Sequence, residues 1–199
     1  MTVEMGLRER KKAATRGALG RAAARLAVEH GVERVTVEAI AGAAGVSART
    51  FHNYFTGKEE AIVAPLFDGV QALLDGLRSR PQGEPIWDSI RWGVREVLLP
   101  SETRSETIAL MRLVKGNPGL VAQQLGCLGD MQEQISRVIA ERTGTDPERD
   151  MYPHLLAGAM GISMRVAVEM WMEGRIDVDV LDLVDSALEQ FRSGLPSPD

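Results

Sequence analysis

An all-α fold of about nine helices is what this sequence predicts, and three observations carry that prediction. Apolar residues recur at three- and four-residue spacing through most of the 199 positions. Gly, Pro and Asn punctuate these stretches at intervals that suit helices. No run alternates apolar and polar residues well enough to make a strand, and no internal repeat is present.

In chain order, Leu19, Ala22, Ala23 and Leu26 give the first helix an apolar stripe, and Gly31 stops it. Thr36 is placed to cap a short second helix over Val37–Ala44. Gly45 makes a turn, Ser47 caps a third helix over Ala48–Tyr54, and Thr56-Gly57 breaks it. A longer fourth helix is expected from Lys58 to about Arg78, ending in the loop Arg80-Pro-Gln-Gly-Glu-Pro85. Further helices are expected near Ile86–Leu98, Ser101–Lys115, Gly119–Arg142, Asp150–Glu173 and Asp179–Arg192. Pro100, Asn117-Pro118, Gly144 to Pro147, and Gly174 separate them. The tail Pro196–Asp199 is expected to be disordered.

Composition narrows the functional classes. A chain 44% hydrophobic and 26% charged is ordinary for a folded protein. No uninterrupted apolar run approaches 18 residues, so no membrane span is expected. The polar, basic start has no signal-peptide core. Cys127 is the only cysteine, which excludes an internal disulfide and suits a reducing cytoplasm. It reads as a small buried hydrophobe, with a redox sensor as the alternative. Enzymatic motifs are missing: there is no His-x-x-x-His, paired cysteine, phosphate-cradling glycine loop or Gly-x-Ser-x-Gly. The three histidines (30, 52 and 154) are scattered. The expectation is therefore a non-enzyme without metal or cofactor.

The net charge of −5 hides an asymmetry. Residues 1–58 carry ten Lys/Arg and five Asp/Glu, a balance of +5. Residues 59–199 carry 13 and 23, a balance of −10. A basic module on an acidic body points to nucleic acid as the partner.

Residues 36–58, TVEAIAGAAGVSARTFHNYFTGK, are the most informative stretch. Two short helices that cross closely need a small residue at the contact and a glycine at the turn, supplied by Ala41 and Gly45. Val46, Phe51 and Phe55 share one face and are assigned to the core. Ala48, Arg49, His52 and Asn53 share the other. Arg49 suits a guanine edge, Asn53 an adenine edge, and Ala48 a thymine methyl. Thr50 lies on the same short helix. Thr36, Ser47, Tyr54 and Lys58 sit at helix starts or on the flank, where phosphate contacts are made. Tyr54 has core packing as its alternative, and His52 a plain surface role. Arg8, Arg10, Lys11, Lys12 and Arg16 precede or open the first helix, within reach of the DNA backbone or an adjacent minor groove.

Gly31–Glu60 resembles the N-terminal domain of the TetR family of transcriptional regulators. The matching elements are Thr36-Val-x-x-Ile-Ala41, Ala44-Gly-Val-Ser47, Tyr54-Phe55 and Gly57-Lys-Glu59. The likeness is specific over roughly residues 7–64. Many members have Leu-Tyr or Phe-Tyr where this chain has Phe51-His52, so the usual tyrosine is replaced. The opening GLRERKKAATRGAL and Arg165-Val-Ala-Val-Glu-Met-Trp171 further resemble actinobacterial-type members. The resemblance implies a homodimer reading a palindromic operator in double-stranded DNA. It implies a DNA-binding domain over 1–57 with its basic arm, and a helical effector-binding and dimerisation domain over 58–195, the fourth helix connecting them. Most such proteins are repressors released from DNA by a small molecule. The alternatives are an activator, or a helical small-molecule-binding protein without specific DNA readout.

The C-terminal part is compatible with this. Leu155–Met172 is apolar nearly all round and should be buried on several sides. Its methionines fill either a pocket lining or a soft core. Val180, Leu183, Val184, Ala187, Leu188 and Phe191 form a stripe that suits a subunit interface. Arg165, inside the apolar run, needs a partner. It is either in a salt bridge to Glu169 or an anchor for an anionic ligand. Trp87, Trp92, Met111, Arg112, His154 and Trp171 are the other candidate pocket residues. Because Arg112 and Arg165 outnumber the acidic residues in the apolar helices, a lipid-like or anionic effector is favoured.

Overall fold

The computed structural model describes residues 6–95, 104–174 and 178–197. The expected break at Pro100, the helix ends at Leu98 and Ser101, and the last two residues of the tail lie outside them. The all-α class is borne out, with no strand among the described residues. The helices are α1 Leu7–His30, α2 Val37–Ala43, α3 Ala48–Phe51, α4 Lys58–Val63, α5 Val70–Ser79, α6 Ile86–Gly93, α7 Arg104–Lys115, α8 Pro118–Thr143, α9 Tyr152–Met172 and α10 Val180–Arg192.

Two helices depart most from expectation: α3 ends at Phe51 rather than Tyr54, and the fourth is interrupted. The stretch Lys58–Arg78 is split into α4 and α5 by a 3-10 turn at Ala64–Phe67. Pro65 explains the break, since proline has no N–H to give and its ring crowds the preceding turn. Counting α4 and α5 as one interrupted helix returns the nine expected.

Contacts divide the chain into two compact units, 1–68 with 105–127, and 69–104 with 128–199. The first unit thus continues past residue 57, the expected boundary. Its core holds Leu19, Ala23 and Ala27 of α1, Ile40 and Ala41 of α2, Phe51, Phe55, and Ala61 to Val63 of α4. Leu110 and Val114 of α7 and Leu120 of α8 join the same cluster. Small residues let the helices approach: a Cβ on Gly20 would stand 3.4 Å from the Pro65 ring.

The second unit is built from larger side chains. Leu73, Leu77, Ile90, Ile135, Ile139 and Met160 are fully buried. α5 and α6 meet where glycine leaves room. A Cβ on Gly93 would stand 2.3 Å from Leu73 Cδ1, and one on Gly76 2.6 Å from the Trp92 ring. α9 packs along α10. Asp185 of α10 pairs with Arg91 on α6 and with Arg95 just beyond it.

The loop after α5 is closed by ionic contacts. Arg80 pairs with Glu84, which also accepts from Ser89. Arg80 and Ser89 hold the Glu84 carboxyl well below its ordinary range, at about 2. Arg142 of α8 donates to the carbonyls of Leu77, Arg80 and Pro81 at 2.6, 3.1 and 3.0 Å. α7 ends where the sequence expected, and α8 is one residue longer at each end, from Pro118 to Thr143.

Candidate nucleic-acid interface

Local chemistry builds the α2–turn–α3 segment as the sequence predicts. Thr36 caps α2, its Oγ1 accepting from Ala39 N at 3.2 Å. Ser47 caps α3, its Oγ accepting from Thr50 N at 3.1 Å. Gly45 takes φ of 71°, the left-handed region that side chains resist. Val46 N then donates back to Ala41 O at 2.9 Å, closing the turn. Ala41, Phe51 and Phe55 are buried, so the assigned core face is where the structure puts it.

The opposite face is open. Arg49, His52 and Asn53 are exposed, while Ala48 and Thr50 are half-buried. Thr50 shares a 2.9 Å hydroxyl contact with Ser47. The His52 ring meets the Phe51 ring edge-on at 5.4 Å. In capping, Thr36 uses only an oxygen lone pair, and its O–H remains available to a phosphate oxygen. Arg8, Arg10, Lys11 and Lys12 are exposed on the first turns of α1 itself, so the basic arm is helical from Leu7.

Three flanking residues are placed differently. Tyr54 is half-buried and packs on the core cluster. Lys58 donates through Nζ to the carbonyls of Val32 and Val35 at 3.0 and 3.1 Å, which occupies two of its three N–H bonds. Arg16, grouped with the arm on sequence, turns onto its own unit. Its guanidinium lies 4.3 Å from the Phe55 ring centre and donates to Tyr54 O at 3.1 Å.

Sequence reasoning missed the carboxylate behind this contact. Glu60 Oε1 is 3.8 Å from Arg16, and its other oxygen accepts from Thr56 N and Oγ1 at 2.8 and 2.9 Å. The available signal was a glutamate at the third position of a helix, from which a carboxylate can reach back to a backbone N–H before the helix start. Nearby, burial pushes the Asp68 carboxyl above its ordinary range, against the pull of Arg21 and Arg16.

The candidate effector residues are divided between the two units. Met111 and Arg112 belong to the first unit, where Met111 is half-buried and Arg112 exposed. In the second, Trp87 lines an open apolar groove of about 250 Å³ with Tyr152, Leu155, Leu156, Ala159 and Phe191. His154 is engaged with Pro147 O at 2.7 Å. Trp171 is half-buried.

Arg165 is a correction. It is not buried but 63% exposed, and pairs with Glu169 at 3.5 Å. The helix it stands on explains this, because α9 is not covered on all sides. Tyr152, Leu155, Ile162 and Val166 are exposed, and their spacing puts them on one face. α9 is long and apolar enough to cross a membrane by length and composition, yet only a third of its most apolar window is buried within the chain. The α10 stripe also divides. Val180, Val184 and Leu188 are buried in the chain's own core, leaving Leu183, Ala187 and Phe191 half-buried.

A capped two-helix crossing that buries its aromatic residues and opens an Arg-His-Asn face defines a helix-turn-helix DNA-binding protein. Residues 20–64 match the family model described as bacterial regulatory proteins, tetR family, and residues 84–196 match the MftR C-terminal domain. The chain is 34% identical to the transcriptional regulator TcmR of Streptomyces glaucescens, covering 96% of this chain and 88% of that protein. It is 30% identical to MftR of Mycobacterium tuberculosis, covering 94% and 93%. The fold is shared with SmeT of Stenotrophomonas maltophilia in its triclosan complex, at a TM-score of 0.61 and 19% identity, covering 94% and 99%. The protein belongs to the TetR family of transcriptional regulators, and its relatives are DNA-binding regulators rather than enzymes.

Proposed function

We propose that this regulator is a homodimeric repressor that reads a palindromic operator and leaves it when a small apolar molecule binds. One observation carries the reading: α3 and the turn after it present Arg49, His52 and Asn53 to solvent while Phe51 and Phe55 are locked in the core. Arg49 takes a guanine edge and Asn53 an adenine edge. Ala48 and Thr50 stand beside them, Thr36, Ser47 and Tyr54 flank the contact, and Lys58 braces it through Val32 and Val35. Arg8, Arg10, Lys11 and Lys12 supply phosphate or minor-groove contacts.

The exposed row on α9 supports dimerisation. An apolar face of this length costs free energy in water unless covered, and a second copy covers it isologously. Leu183, Ala187 and Phe191 of α10 extend the surface. For the effector, the lipid-like half of the expectation keeps its support in the aromatic and aliphatic groove beside Trp87. The anionic half loses it, because Arg112 and Arg165 are exposed. Binding would release DNA by favouring a head spacing that no longer fits two successive half-sites. SmeT, the repressor of a Stenotrophomonas maltophilia multidrug efflux pump, shares the fold and is seen with triclosan.

Arg49→Ala tests the base reading. Specific binding should weaken by about 1–3 kcal/mol, with relaxed preference at one base position. If the variant ranks a randomised duplex library as the parent does, Arg49 reads no base.

A further inference from the structure

We propose that Arg16 is a positioning residue for base recognition, a clasp that holds the exit of the reading helix from α1. The inference rests on the reading that α3 and the turn after it contact base edges.

α3 spans only Ala48–Phe51, followed by a turn through Tyr54. A single helical turn has no stability of its own, and its last carbonyls have no partner within the helix. Ser47 secures the front of this turn. Arg16 secures the back at two points. It donates Nη1–H to the Tyr54 carbonyl at 3.1 Å and covers the Phe55 ring at 4.3 Å. Exposed His52 and Asn53 stand immediately before the clasped carbonyl. A rotation there would swing both away from the groove.

One carboxylate holds the guanidinium in turn. Glu60 stands 3.8 Å away and also fixes Thr56 through its backbone and hydroxyl. Three elements, α1, α4 and the turn following α3, therefore meet at one cation. Arginine suits this place because a planar fork can lie on a ring and still donate in its own plane. A lysine at the same place could donate to the carbonyl or lie over the ring, but its compact ammonium lacks the planar fork that does both at once.

The competing role is a direct phosphate contact, and the two differ in salt dependence. A lost phosphate contact makes the slope of log K against log[salt] shallower by about one. A loosened helix lowers affinity without changing the ions released. The experiment uses the full chain and a duplex that the parent selects from a randomised library. Arg16→Gln and Arg16→Lys should each weaken binding to that duplex by about tenfold or more, as losing a charge-assisted hydrogen bond implies. The salt slope should stay at the parent's value, and affinity for a scrambled duplex should hardly move. A shallower slope with equal loss on both duplexes, parent-like affinity, or full rescue by Arg16→Lys overturns the clasp.

Hydrogen exchange on the free protein gives a second reading independent of any operator. Asn53, Tyr54 and Phe55 donate their amides to Thr50 and Phe51 carbonyls. In Arg16→Lys these three should exchange about tenfold faster, with α10 protected as in the parent. Unchanged exchange overturns the clasp even if the parent selects no sequence at all, an outcome that would refute base reading separately.

Discussion

The two units solve the packing problem in opposite ways. The first uses alanines around two phenylalanines and turns polar groups outward. The second uses leucine, isoleucine and methionine inside and leaves large apolar groups outside. Among the described residues, five of the nine exposed large hydrophobic ones fall at Met151, Tyr152, Leu155, Ile162 and Val166, at the start of or along α9. This is the patch that the proposed second copy would cover. The difference teaches where each unit's function sits. In the first it lies in short-range geometry, a cap, a turn and an exposed face. In the second it lies in surfaces that neighbouring helices leave unfinished.

The largest test of this contrast is Phe51→Ala. Phe51 is fully buried in a cluster that includes Leu19, Ile40, Phe55 and Ile62, and removing its ring leaves a cavity these packed side chains fill only in part. Truncation should cost about 3–5 kcal/mol in denaturant unfolding and abolish DNA binding. A loss below about 1 kcal/mol would mean the first core is looser than its alanine packing implies. In the second unit, Gly93→Ala drives a methyl into Leu73 and should cost about 1–3 kcal/mol by the same measurement.

The open face of α9 is tested by Ile162→Glu, an exposed site whose change should leave helix content intact. Light scattering at micromolar concentration should show the parent as a dimer and the variant as a monomer. Two dimers, or two monomers, would remove α9 as the subunit surface. The smallest effect belongs to Glu84. Its carboxyl is held at about 2, below the ordinary 4.5, so its ionic contacts stabilise the loop fully above 4.5. That contribution is lost as pH falls from there through about 2. Glu84→Gln should flatten the fall in melting temperature across that window and leave the melting curve's shape near neutral pH.

Much of the first unit was legible in the sequence because its signals are local. Thr36 and Ser47 cap the helices that follow them within three residues, and Gly45 takes the backbone conformation that only a turn there requires. Phe51 and Phe55 were legible as one face because a helix repeats every 3.6 residues. The clasp was not legible. Arg16 and Tyr54 are 38 positions apart, and nothing in a row of cations says which one folds back. Lys58 belongs to the same class, its ammonium satisfied by carbonyls 23 and 26 positions away.

In the second unit, hydrophobicity overstated burial. Arg165 read as a buried charge because its neighbours in sequence are apolar, but its side chain is exposed and paired with Glu169. The α10 stripe read as an interface, and half of it is the chain's own core. By itself the sequence determined the helical class, the order of elements, the DNA-reading module and the family, because each follows from periodicity, caps and short motifs. Only the tertiary structure decided which cations are free, which apolar residues are covered and where α4 gives way to α5. Those depend on which distant segment supplies the missing partner, and a side chain's own identity does not encode that.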